Sequence, residues 1–216
     1  METVMPEIIE LTRDWIVAVK PWGVLPEDAA GEAGMPALLK DELKTRGILC
    51  DQVFTVHRLD RTTEGLTVCA LTKKGAALLS RSVAEGTFRK TYAAFVTADP
   101  GLPEEGEMRD WLWFDRRRDK AFVASSPRPG AKEAVLRYRL EREILWREKT
   151  VTEARVELET GRTHQIRVQF ASRRSPLVGD GKYGSRLNRK GPSLFSVTLE
   201  FPWEGKICRF THPAEF

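Results

Sequence analysis

Asp60 is the residue of this 216-residue chain whose setting most points to chemistry. It stands in the run Val56-His57-Arg58-Leu59-Asp60-Arg61-Thr62-Thr63-Glu64-Gly65-Leu66, a carboxylate bracketed by two arginines. The apolar segment Leu66-Thr67-Val68-Cys69-Ala70-Leu71 follows at once. A charged group at a strand entrance, kept ionised by neighbouring cations, reads as a reactive site more than as a turn. The same composition also occurs in surface ion-pair clusters, which contribute little to stability.

A second polar cluster, Glu159-Thr160-Gly161-Arg162-Thr163-His164-Gln165-Ile166-Arg167, gathers charged and polar side chains around a glycine. It lies where the pattern changes from strand to helix. Backbone N–H groups and basic side chains at such a junction can face an anion. Taken alone, Arg162, His164 and Arg167 read more readily as ordinary solvated helix residues.

Five motifs taken together resemble one family. His57-Arg58-Leu59-Asp60, Arg89-Lys90-Thr91-Tyr92, Thr160-Gly161-Arg162-Thr163-His164-Gln165-Ile166-Arg167, Pro176-Leu177-Val178-Gly179-Asp180 and Tyr183-Gly184 follow one another in the order and approximate spacing of the RluA-type RNA pseudouridine synthases. Lys20-Pro21-Trp22-Gly23 looks like that family's first loop, and the resemblance runs over about residues 14 to 211. It implies isomerisation of uridine in ribosomal or transfer RNA to pseudouridine, without a cofactor.

The resemblance also implies roles. Asp60 matches the catalytic aspartate, acting at the sugar C1′ or at C6 of the base. Arg167 matches the arginine that pairs with it, and a guanidinium can hold a carboxylate by two parallel hydrogen bonds. Tyr92 matches the active-site tyrosine, able to stack on the uracil; its plain alternative is a strand aromatic. Arg58 matches the residue that fills the space of the flipped nucleotide. His57, Arg162, His164 and Gln165 are assigned to substrate binding. Two positions depart from the family: Glu64 stands where serine is usual, and Ser196 where histidine is common. Glu64 adds a second carboxylate near Asp60 and is expected to point outward. A noncatalytic RNA-binding protein on the same fold is the alternative, and a glycosidase using Asp60 and Glu64 as acid and base is a weaker third.

Composition fits an RNA partner without requiring one. Lys plus Arg number 35 against 31 Asp plus Glu, a net charge of +4. Arg116-Arg117-Arg118, Arg173-Arg174 and the stretch from Arg186 to Lys190, with Trp111, Trp113 and Tyr183 nearby, could track an RNA backbone. Cys50, Cys69 and Cys208 form no CxxC pair, and the three histidines are scattered, so neither a metal nor a disulfide framework is expected. No apolar run reaches a membrane span, and the start Met1-Glu2-Thr3 lacks a basic leader, so a soluble, cytoplasmic monomer is expected.

The elements that must position these residues are legible as alternating strands and amphipathic helices. Strands are expected over 15–19, 66–71, 89–97, 111–114, 121–124, 133–140, 150–158, 193–200 and 207–211. Helices are expected over 36–45, 73–85 and 163–172, the last capped by Thr163. The expected fold is α+β. After an extension over residues 1–13, one catalytic domain over 14–216 is built on a largely antiparallel, mixed sheet with flanking helices, the pseudouridine synthase fold.

Overall fold

The computed structural model describes residues 4–97 and 101–216; Met1–Thr3, where the leader expectation rests, lie outside them. In chain order, β1 (Glu7–Leu11), β2 (Trp15–Lys20), α1 (Met35–Thr45), β3 (Phe54–Thr55), β4 (Glu64–Ala70) and α2 (Lys73–Ala84) come first. Next are β5 (Arg89–Thr97), β6 (Glu105–Asp115), β7 (Lys120–Ala124), β8 (Lys132–Trp146) and β9 (Lys149–Leu158). Then α3 (Gln165–Ser172), a 3-10 turn at Gly181–Tyr183, β10 (Leu194–Trp203) and β11 (Lys206–Thr211) complete an α+β fold. The chain divides into two compact units, one holding the chain up to Lys90 with Phe195–Ala214, the other Thr91–Leu194 with Glu215–Phe216.

In the first unit β4 is central. β2 pairs antiparallel along one edge, while β3 and the parallel β10 share the other. β1 extends the sheet on β2 and β11 on β10. Ile16, Val17 and Ala18 are all fully buried, because this sheet is covered on both faces. Val17, Leu66 and Val68 pack with Leu79 of α2, Phe88 and Phe201, while Ile16, Ala18 and Cys69 pack with Met35, Leu39 and Leu43 of α1. Each of the valine, leucine, isoleucine, methionine and phenylalanine side chains among them contributes about 1.5–3 kcal/mol by leaving water. Thr72 starts α2 by accepting from Gly75 N–H at 3.0 Å, and Gly86 (φ +70°) ends it.

The second unit is an antiparallel sheet in the order β5-β9-β8-β6-β7. α3 covers part of one face, where Val168 meets Leu112, Ala121 and Ala134. Elsewhere on the sheet, exposed arginines are matched by glutamates: Arg109 with Glu107 and Glu133, Arg137 with Glu107 and Glu159. Such pairs contribute little energy but keep the surface charge-balanced.

The extension expected over residues 1–13 carries β1, whose Glu-Ile-Ile-Glu pattern obscures strand alternation. Two local expectations are corrected. β6 and β8 run well beyond the apolar cores that marked them, because their outer residues are charged and held by cross-strand ion pairs. α3 begins at Gln165, with His164 at its N-cap in the left-handed conformation (φ 56°) and no side-chain cap, so Thr163 does not cap it. Among the described residues no helix is long and apolar enough to cross a membrane.

Candidate active site

In the first unit, Thr63 N–H donates to the Asp60 carbonyl at 2.9 Å, closing a β-turn in which Asp60 is the first residue. Asp is favoured there, so the run is both a turn and a carboxylate presented at its start. The turn is fixed from beneath. Lys20 is 1% exposed, and its Nζ donates to the carbonyls of Pro21 (2.9 Å), Val24 (2.7 Å) and Arg61 (3.0 Å). Gly23 N–H donates to the same Arg61 carbonyl at 3.0 Å, and Arg61 Nε returns a bond to Gly23 O at 2.9 Å. The Lys20-Pro21-Trp22-Gly23 loop and the Asp60 turn are thereby one hydrogen-bonded body.

The arginines that bracket Asp60 make their side-chain ion pairs with other carboxylates. Arg61 grips Glu32 through both terminal nitrogens (2.7 and 3.2 Å), and Arg58 reaches Glu27 at 3.4 Å with both partners exposed. Lysines also stand within electrostatic range of Asp60. Burial pushes Lys20 down to about 8 against the opposing charges of Glu64 and Asp60. Burial likewise lowers Lys90, with Asp60 opposing. Glu64, expected to point outward, is half-buried at the start of β4 and acts on Lys20.

His57 sits inside the unit. Its Nε2 accepts from Val68 N–H at 3.2 Å, its ring lies 5.0 Å from that of Phe88, and its Nδ1 is buried without a partner among the described residues. An accepting Nε2 places the proton of the neutral ring on Nδ1. Burial, with the nearby charge of Lys90, holds the imidazole well below its ordinary value. His57 therefore ties the start of the Asp60 segment to β4. Ser196 pairs with Gly65 across β10 and β4; its hydroxyl is buried without a partner among the described residues.

In the second unit, Tyr92 is 4% exposed on β5, opposite Val156 of β9. Gln165 has both ends engaged: its Oε1 accepts from Thr160 Oγ1 (2.9 Å) and Arg162 N–H (2.9 Å), and its Nε2 donates to Val135 O (3.1 Å). Arg162 Nε donates to Glu133 O at 2.8 Å. Gln165 and Arg162 thus hold the turn before α3 against β8. His164 Nδ1 and the Tyr183 hydroxyl are 2.9 Å apart, and that hydroxyl accepts from Ala121 N–H at 2.8 Å.

Arg167 makes the two-bond grip on a carboxylate that its sequence context implies, and it makes it with Asp180. Nε lies 2.6 Å from Oδ2 and Nη2 2.8 Å from Oδ1, with side chains 5% and 1% exposed. Its guanidinium lies 5.0 Å from the ring centre of Tyr183.

Sequence reasoning left Lys20, Lys90 and Asp180 without roles. Each lies inside a motif already singled out, so the signal was a charged residue within an otherwise apolar or turn-forming run. Among the basic clusters, Arg173 is occupied by Asp110 at 2.9 Å. The turn over 116–119 presents exposed arginines, with Asp115 Oδ1 accepting from the N–H groups of Arg117 (2.9 Å) and Arg118 (3.2 Å).

Residues 14–172 match the family model described as RNA pseudouridylate synthase. A protein of Pseudomonas aeruginosa named ribosomal large subunit pseudouridine synthase D is 33% identical over 96% of this chain and 64% of its own length. Its namesake in Xanthomonas campestris is 38% identical over 92% of this chain and 62% of its own length. This chain therefore spans somewhat under two thirds of those relatives. An uncharacterized RNA pseudouridine synthase of Haemophilus influenzae is 28% identical, covering 95% of this chain and 86% of that one. The solved human RNA pseudouridylate synthase domain containing 1 superposes with a TM-score of 0.79 at 22% identity, covering 99% of this chain and 86% of its own.

Proposed function

Because this chain belongs to the RNA pseudouridylate synthase family, we propose that it isomerises uridine to pseudouridine in large-subunit ribosomal RNA, with Asp60 as the catalytic carboxylate. The relatives named for the large ribosomal subunit support that substrate class. The bond from N1 to C1′ breaks, a bond from C5 to C1′ forms, N1 gains a proton and C5 loses one, so no atom enters or leaves overall. The carboxylate of Asp60 is the group offered to C1′ or to C6 of the base. Tyr92 is assigned to face the uracil and Arg167 to supply the fixed cation of the site. Arg58, exposed and paired with Glu27 only at 3.4 Å among the described residues, is assigned to enter the space of a flipped nucleotide. His57 and Gln165, both buried and bonded to backbone, are assigned to hold the site's loops in place of contacting RNA directly.

The observation that carries this reading is the Asp60 turn. A carboxylate is presented by a backbone that a buried lysine and two reciprocal bonds hold rigid, which is the preorganisation that catalysis needs. The test is incubation of the purified protein with an unmodified transcript of large-subunit ribosomal RNA, followed by pseudouridine mapping. Conversion at a defined uridine by the wild type, and none by D60N, is expected. RNA binding without any pseudouridine would instead establish the noncatalytic alternative.

A further inference from the structure

The motif Pro176-Leu177-Val178-Gly179-Asp180, with Tyr183-Gly184 after it, has no part in the chemistry assigned so far, yet its backbone is held at several points. Val178 N–H donates to Phe95 O (2.8 Å), and Ser193 N–H donates back to Val178 O (2.8 Å), pinning the segment to β5 and to the entry of β10. Gly179 has φ +82°, and a Cβ there would lie 2.1 Å from the Gly191 carbonyl oxygen, so only glycine fits. Asp180 O then accepts from Tyr183 N–H and Ser185 N–H, both at 3.0 Å. All of this rigidity is delivered to two side chains, Asp180 and Tyr183, and both meet Arg167.

We infer that Asp180 and Tyr183 are positioning residues for Arg167, setting the plane and direction of its guanidinium. An arginine side chain has several rotatable bonds, so its guanidinium plane is not fixed unless neighbours fix it. The two parallel bonds to Asp180 fix the guanidinium plane, and the ring of Tyr183 lies beneath it at 5.0 Å. Tyr183 is itself anchored at its hydroxyl by Ala121 N–H and His164 Nδ1. A surface ion pair would be replaceable. This one is almost wholly buried, so removing Asp180 takes away a bidentate partner that water does not replace, and the guanidinium loses the plane those two bonds set.

The inference rests on the reading of Arg167 as part of the catalytic set. Its experiment measures kcat and KM by release of tritium from C5-tritiated uridine in the large-subunit ribosomal RNA transcript, below the unfolding midpoint of each variant. R167K is the reference, expected to lose about tenfold or more in kcat. D180N is expected to lose kcat by a comparable factor with KM within twofold, and the double variant to be no slower than R167K alone. Y183F keeps the ring and removes the hydroxyl anchor; it is expected to lose a smaller, measurable factor in kcat, and it serves in full where D180N does not fold. A slow R167K beside a D180N or Y183F with wild-type kcat would overturn the positioning role while leaving Arg167 in place. Additive losses in the double variant would overturn it too, because Asp180 would then act by another route. An R167K as fast as the wild type would remove Arg167 from catalysis, and the inference with it.

Discussion

The ammonium of Lys20 donates a 3.0 Å hydrogen bond to the carbonyl of Arg61, the residue next to Asp60 in the chain. A lysine that is 1% exposed thereby becomes the floor of the turn that presents the carboxylate. Replacing it with methionine, K20M, strands the carbonyls of Pro21 and Val24 and loosens the Asp60 turn. A loss of about 1–3 kcal/mol in urea unfolding is expected, and an unchanged midpoint would refute the clamp.

The same lysine has a pH signature. Its folded value of about 8 lies below the 10.5 of a free lysine, with burial as the main cause. Between those two values the unfolded chain holds a proton that the folded chain has released, so this group makes stability rise with pH across that window. Comparing urea unfolding at pH 8 and pH 10 in the wild type and K20M isolates it. Parallel pH dependences in the two would contradict the assignment.

His57 predicts the opposite flank of the stability curve. Its imidazole is kept neutral far below its ordinary 6.5. Below pH 6.5 the unfolded chain therefore takes up a proton that the folded chain refuses, and this group costs about 1.4 kcal/mol per further pH unit. Above pH 6.5 it contributes no slope. H57Q should flatten the acid limb of a thermal or urea titration, and a limb of undiminished steepness would show that other groups cause it.

Gln165 separates holding a loop from touching RNA. Its amide satisfies Thr160, the Arg162 N–H and the Val135 carbonyl at once. Q165L should cost about 2–4 kcal/mol of stability. RNA affinity, measured at a temperature where the variant is folded, should stay within a few-fold of wild type. A folded, fully stable Q165L that no longer binds the transcript would return Gln165 to the RNA interface.

Ser196 offers a gain in stability. Its hydroxyl is buried with no partner among the described residues, and such a group costs about 1–3 kcal/mol relative to a satisfied one. S196A is expected to be neutral or to raise the unfolding midpoint. A drop of several degrees would mean that the hydroxyl is in fact engaged.

Local pattern alone located most of this protein. The helices over 35–45 and 73–84 and the strand over 89–97 follow from 3.6- and 2-residue periodicity with caps and glycines at their ends. Those signals are short-range and are written in consecutive residues. Asp60 as the candidate nucleophile, and the motifs that resemble one family, were equally visible in the order of residues. The start of α3 was not, because His164 takes a left-handed conformation that no propensity announces. The partners were also hidden. Nothing in the chain order says that Lys20 would be buried under the carbonyl of Arg61, 41 residues on, or that His57 would accept from the backbone of Val68. Nor does it say that Arg167 would close on Asp180, while Arg58 and Arg61 turned to Glu27 and Glu32. Residue types determine which groups can pair. Which of several possible partners a charge meets, and whether water is excluded from the pair, is decided only where the folded backbone brings distant segments together.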